Sequence, residues 1–189
     1  MIQTALVFIK KKLDQHLVNH FNLDESVAVL NHLVGQDGSY PQKNQNKMVI
    51  TLINLDYDTF KPFQNASQRT QDNNFVKINP PVQFNVDLLF TACFDDYEEA
   101  LKFLTATIAF FQSNNTFNLK STPDIPDGIT MLNFEIEKTS YFEIHNLWNA
   151  MCAKYQPSII YKVRHISIQN SEIKAVSHAV IHTDVEGQL

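Results

Sequence analysis

Glycine is nearly absent from this chain, with 4 in 189 residues. Loops that wrap a phosphate in backbone amides are built on glycine, so the composition disfavours a nucleotide-binding loop of that kind and glycine-rich turns. Cysteine is almost as scarce. Cys93 and Cys152 have no CxxC spacing, and both are expected to be small buried apolar residues in a reducing compartment. Positive charge is short as well, 15 Lys plus Arg against 20 Asp plus Glu for a net charge of -5, with no basic run beyond Lys10, Lys11 and Lys12. Binding to a nucleic-acid backbone needs a clustered positive footprint, so nucleic acid is not an expected partner. No apolar run reaches the ~20 residues that cross a bilayer, so membrane insertion is not expected. The N-terminus lacks the basic start and small-residue cleavage site of a signal peptide and is expected to belong to the fold. There is no internal repeat and no low-complexity tract.

Length and pattern predict an α+β fold, with a mainly antiparallel or mixed sheet of five to six strands packed by about three helices. A single domain over residues 1–189 is expected, large enough to bury roughly 70% of its unfolded surface. Ile2, Leu6, Ile9, Leu13, Leu17 and Phe21 recur at three to four residues, the spacing of an amphipathic helix. Strands follow over 27–34 and 47–56, the second apolar on both faces and therefore central. Residues 57–80 contain a polar tract with no hydrophobic period, flanked by Phe60, Phe63 and Phe75. They are expected to form a mobile arm or a long hairpin tip, either disordered or used in assembly. Strands over 130–137 and 158–168 bracket a helix opened by Ser140-Tyr-Phe-Glu143, a capping box, and running toward Pro157. An edge strand or tail closes the chain over 172–189.

The organising stretch is 79–112. Val82, Phe84, Val86 and Leu88 alternate with polar residues as a strand with one buried face, starting after two prolines that cannot donate to a ladder. Asp95-Asp-Tyr-Glu98 then fits a helix N-cap. Beyond Lys102 this second helix carries no charge up to Phe111. Tyr97, Leu101, Leu104, Ile108 and Phe111 form one apolar stripe, and Phe103, Ala106 and Phe110 form another. One small sheet covers one stripe, so the other needs either a helix of the same domain or a neighbouring subunit. Phe103, Ala106 and Phe110 are the candidates for that subunit interface.

Residues that could carry chemistry stand alone. His16 and His20 lie one helical turn apart, as would His178 and His182 in a helix, without the glutamate of HExxH or a third ligand. Glu135 and Glu137 share a strand face as a carboxylate pair with no partner motif. No serine or cysteine occupies a nucleophile signature such as GxSxG. No catalytic residue, cofactor or metal is therefore expected, and the chain is not expected to be an enzyme. Lys162 and Arg164 flank Val163; they could bind an acidic partner, or pair across strands with Glu135 and Glu137.

Several stretches together resemble a known family. They are Asn79-Pro-Pro-Val-Gln-Phe-Asn-Val-Asp-Leu-Leu-Phe-Thr-Ala-Cys-Phe, Asp96-Tyr-Glu-Glu-Ala-Leu-Lys-Phe-Leu, Ile108-Ala-Phe-Phe-Gln112, Asn146-Leu-Trp-Asn-Ala-Met-Cys-Ala-Lys-Tyr-Gln-Pro-Ser158 and Tyr161-Lys-Val-Arg164. The chain resembles the DUF4255 family, the N-terminal domain of the cap or tail-terminator protein of extracellular contractile injection systems, which are phage-tail-like particles. The resemblance runs from the N-terminal helix to about Ile168 and leaves out 58–78. It implies a tail-terminator-like fold and a structural role: a homohexameric ring on the end of the inner tube and sheath that stops polymerisation and couples the last sheath ring to the tube. It also implies assembly in the cytoplasm before release on an extracellular particle. Lys162, Arg164, Phe60, Phe63 and Phe75 are then candidates for sheath or tube contact. The competing expectation is a non-enzymatic adaptor that binds a baseplate or cargo protein.

Overall fold

The computed structural model describes residues 1–58, 67–69, 75–78, 82–168 and 173–177. In chain order the elements are α1 (Ile2–Phe21), β1 (Ala28–Leu30), β2 (Lys47–Tyr57), β3 (Ser67–Arg69), β4 (Phe75–Ile78), β5 (Val82–Cys93), α2 (Tyr97–Ser113), β6 (Thr116–Asn118), β7 (Met131–Ile136), α3 (Tyr141–Ala150), β8 (Ser158–Ile168) and β9 (Ile173–Ser177). The fold is α+β, with a six-stranded mixed sheet in the order β1-β2-β5-β8-β7-β6 and a three-stranded sheet in the order β3-β4-β9. Among the described residues only β1 and β2 run parallel, and every other pair is antiparallel.

β5 lies in the middle because it is buried on both sides from Asn85 to Cys93. Its Val86, Leu88, Phe90 and Ala92 face α1 and α2, together with Met48 and Ile50 of β2 and Tyr161 and Val163 of β8. On the opposite face Leu89 and Cys93 meet Val49, Ile160 and the Trp148 side chain of α3. Phenylalanine fills the main layer. Phe111 stacks on Phe134 at 4.5 Å and meets Phe90 edge-on at 5.0 Å, and Phe8 meets Phe117 edge-on at 5.7 Å. Such pairs add about 0.5–1.5 kcal/mol each beyond the area they bury.

Local chemistry sets the helix limits. α1 stops at Asn22, which adopts the left-handed conformation (φ 51°) and donates its amide to the Val18 carbonyl. The N-cap of α2 is Asp96, one residue later than the sequence pattern suggests, and it accepts from the Glu99 amide at 2.9 Å. Asp95 instead accepts from Gln45 and receives Asn46 Oδ1 on its own amide, which ties the β5 end to the loop before β2. α3 opens with the full capping box, Ser140 Oγ accepting from the Glu143 amide while Glu143 Oε2 accepts from the Ser140 amide at 2.7 Å. α3 ends at Ala150, well before Pro157. Cys152 then takes a left-handed φ of 53° and is exposed, contrary to the buried helical position its neighbours suggest. Tyr155 is likewise outside the helix, exposed, with its ring 5.4 Å from Trp148. Because α3 buries only Trp148 fully, its cap carries much of its stability. Ser140→Ala is expected to cost about 1 kcal/mol, read as a lowered urea midpoint with an unchanged slope.

Asp14 joins α1 to the sheet. Its Oδ1 accepts from the amides of Val27 and Ala28, both at 2.8 Å, and its Oδ2 from Ser26 Oγ at 2.7 Å and Lys10 Nζ at 3.0 Å. Burial pushes this carboxyl up, but the four donors outweigh it and hold the group below the ordinary carboxylate value.

The 57–80 stretch was expected to be an arm or hairpin tip. Its described part is strand: Ser67↔Lys77, Gln68↔Val76 and Arg69↔Phe75 pair antiparallel, and β4 pairs onward with β9. Phe60 and Phe63, and the pair His178 and His182, lie outside the described residues; Phe75 opens β4.

Candidate assembly interface

Two surfaces of the six-stranded sheet and its helices are the candidates for assembly contacts. The first is a groove of about 600 Å³ between α1 and α2. His16, His20 and Phe21 form one wall, and Leu101, Thr105, Ala106, Ala109 and Phe110 form the other. The His16 ring lies 4.9 Å from Phe110 and stacks on His20 at 5.7 Å. Partial burial, then the neighbouring His20, lowers the His16 pKa. The two imidazoles are thus packing groups of a groove wall. Among the described residues no cluster of histidine, cysteine or carboxylate has the geometry of a metal site.

The three residues singled out as a subunit seam divide here. Ala106 and Phe110 line the groove, although each is only 7% exposed. Phe103, also 7% exposed, sits deeper, its ring 4.3 Å from both Phe21 and Phe94. The stripe of Phe103, Ala106 and Phe110 is therefore covered first by α1 of the same subunit. Leu101, counted on the sheet-facing stripe, is 42% exposed. Phe111 alone of the strongly apolar members of that stripe is fully buried, against Phe90, Phe134 and Tyr161.

The second surface is the sheet face below α3. Lys162 and Arg164 of β8 are both engaged within the subunit. Arg164 donates to Glu135 Oε2 through Nε at 2.9 Å and approaches it through Nη2 at 2.8 Å. Lys162 Nζ sits among three carboxylates, 3.4 Å from Glu137, 3.6 Å from Asp56 and 3.7 Å from Asp87. Partial burial lowers this amine, but Asp87, Glu137 and Asp56 together hold it above the ordinary lysine value. The register pairs Lys162 with Glu135 and Arg164 with Asn133, so both ion pairs run diagonally to the residue two positions on, Arg164 to Glu135 of β7 and Lys162 to Glu137 just past its end. Asp56 and Asp87 lie far from Lys162 in sequence. Only the order β2-β5-β8 brings them to it, and no spacing pattern in the chain announces this. The basic run of α1 is used similarly: Lys10 pairs with Asp14, and Lys12 bonds Asp124 at 2.7 Å while lying over the Phe8 ring.

Among the described residues no helix is long and apolar enough to cross a membrane. The family described as the Pvc16 N-terminal domain matches residues 7–181. The chain belongs to that family. This Pvc16 N-terminal domain is also similar in fold to two large-assembly components solved by cryo-electron microscopy. One is the PVC sheath/tube terminator of an extracellular contractile injection system in its extended state, with TM-score 0.65 and 14% identity over 97% of this chain. The other is the anti-feeding prophage cap, a tube terminating cap, with TM-score 0.62 and 16% identity over 94% of this chain. This Pvc16 N-terminal domain spans 63% of the first and 59% of the second. No curated protein matches the chain. The family match agrees with the resemblance carried by the 79–112 and 146–164 motifs.

Proposed function

We propose that this chain is the tube- and sheath-terminating domain of a contractile injection system, a structural cap that closes one end of the particle. The observation that carries this reading is the fold: 97% of the chain superposes on a sheath/tube terminator, through the same sheet and helices that hold the groove and the charged face. In this reading six copies close a ring on the finished tube, stop its growth and couple the last sheath ring to it. Closure of a ring by rotation makes each contact heterologous, one face of a subunit meeting a different face of the next. The α1/α2 groove is one such face, with Leu101, Thr105 and Ala109 at its exposed rim and Ala106 and Phe110 beneath. Assembly in the cytoplasm, before release of the particle, accompanies this role.

Mixing the purified chain with tube and sheath preparations tests the reading. A species near six times 21.7 kDa, and labelled protein at one end of particles in electron micrographs, are expected. A stable monomer at high concentration that never joins tube ends would overturn the cap and leave an adaptor of the same particle. Leu101→Glu changes a side chain that is 42% exposed at the groove rim, so it is expected to lower folding stability by only about 1 kcal/mol. It is also expected to move the ring to monomer in size-exclusion chromatography.

A further inference from the structure

The charged sheet face holds more acceptor than its own subunit uses. One ammonium, Lys162 Nζ, serves three carboxylates and lies 3.4–3.7 Å from each, longer than a charge-assisted hydrogen bond of about 2.7–2.9 Å. Asp87 Oδ1 is buried and has only the Lys162 ammonium beside it at 3.7 Å, while Asn54 donates to Oδ2 at 3.0 Å. Two residues earlier on the same face of β5, and opposite Asp56 in the register, Asn85 is only 8% exposed and its Oδ1 lacks a donor. An orphaned buried acceptor costs about 1–3 kcal/mol, so the Asn85 oxygen beneath an excess of carboxylate marks a place short of donors. The open side is acidic. The side chains of Asp56 and Glu137 are 47% and 38% exposed, and the Lys162 and Arg164 charges are already shared with Glu137, Asp56, Asp87 and Glu135.

We propose that this face is a docking surface for a basic segment of a partner protein, whose lysine or arginine side chain enters between Asp56 and Glu137, pairs with their carboxylates and donates to Asn85 Oδ1. The charge balance selects the partner: four carboxylates against two cations attract a cation, and the missing groups are N–H donors, which both basic side chains bring. A guanidinium suits it best, because its planar fork serves several acceptors at once. The inference does not depend on ring formation; any basic partner would satisfy it.

Titration of the 15N-labelled chain with an acetylated, amidated hexa-arginine peptide at low ionic strength tests it. Amide shifts are expected to cluster at 54–56, 85–87 and 135–137. Asp56→Asn with Glu137→Gln is expected to weaken binding roughly fivefold or more, as loss of complementary charges at a contact does. Glu98→Gln with Glu99→Gln removes the same charge from the exposed first turn of α2 and is expected to leave binding unchanged. Equal weakening by both pairs, or shifts scattered over the acidic surface, would reduce the site to general charge attraction and overturn the proposal. So would the same residues shifting on concentration alone, without peptide, which would make the occupant a second copy. If the Asp56 and Glu137 variant fails to fold, the wild-type shift map decides between these outcomes.

Discussion

Phe103→Glu is expected to unfold the subunit, and Phe103→Ala to lower its unfolding free energy by about 3–5 kcal/mol. The Phe103 ring is held between Phe94, nearly parallel at 13°, and Phe21, tilted at 41°, with 4.3 Å between centroids in each case. Truncation leaves a cavity lined by two rings and the α1/α2 contact, which the packed helices cannot close. A glutamate there would have to bury its charge without a cation among its ring contacts, at a cost comparable with the whole stability of a domain this size. Far-UV circular dichroism of the Glu variant and urea unfolding of the Ala variant read the two effects. A folded Phe103→Glu monomer that fails only to assemble would return Phe103 to the subunit seam.

Asp14→Ala is expected to cost about 2–4 kcal/mol. It removes four charge-assisted hydrogen bonds and strands the amides of Val27 and Ala28 at residues only 4% and 2% exposed. Asp14→Asn should recover part of the loss, since an amide oxygen still accepts from the two backbone groups. The pH dependence has a definite sign. The folded carboxyl titrates below its unfolded value of about 3.9, so its contribution is fully present above that value and is lost as pH falls through the lower folded pKa. Urea midpoints of wild type and Asp14→Ala are therefore expected to differ most near neutral pH and to converge in strong acid. A constant difference down to that range would mean the loss is packing and not the carboxylate.

Elements with a long period or a cap were legible in the sequence. The 158–168 strand, the Ser140 capping box and the apolar stripe of α1 follow from spacing alone, because burial on one face forces those periods. Three things were not legible, each for a physical reason. β6 is three residues long and cannot display a period. A register shift between Leu52 and Asn54 interrupts β2, so the burial expected on both faces across 47–56 fails there and leaves Leu52 and Leu55 exposed. On α2 two apolar stripes were visible, but which one faces the domain depends on where α1 lies, and α1 is distant in sequence. α1 covers Phe103 and Phe110, while Phe111 turns to the sheet. The charged face was half legible: Lys162, Arg164, Glu135 and Glu137 were seen as cross-strand partners, whereas Asp56, Asp87 and Asn85 enter only through strand order.

β5 is laddered on both sides, to β2 over Phe84–Cys93 and to β8 over Val82–Thr91. Force applied along this strand loads both ladders in shear, so rows of hydrogen bonds must give way together. A pull that peels β1 off the sheet edge meets a register of only Ala28 to Leu30, together with the Asp14 carboxylate on the Val27 and Ala28 amides, and opens it one pair after another. A domain fixed to its surroundings through β5 is stiff along that axis, and the same domain gripped through β1 would yield first at that edge.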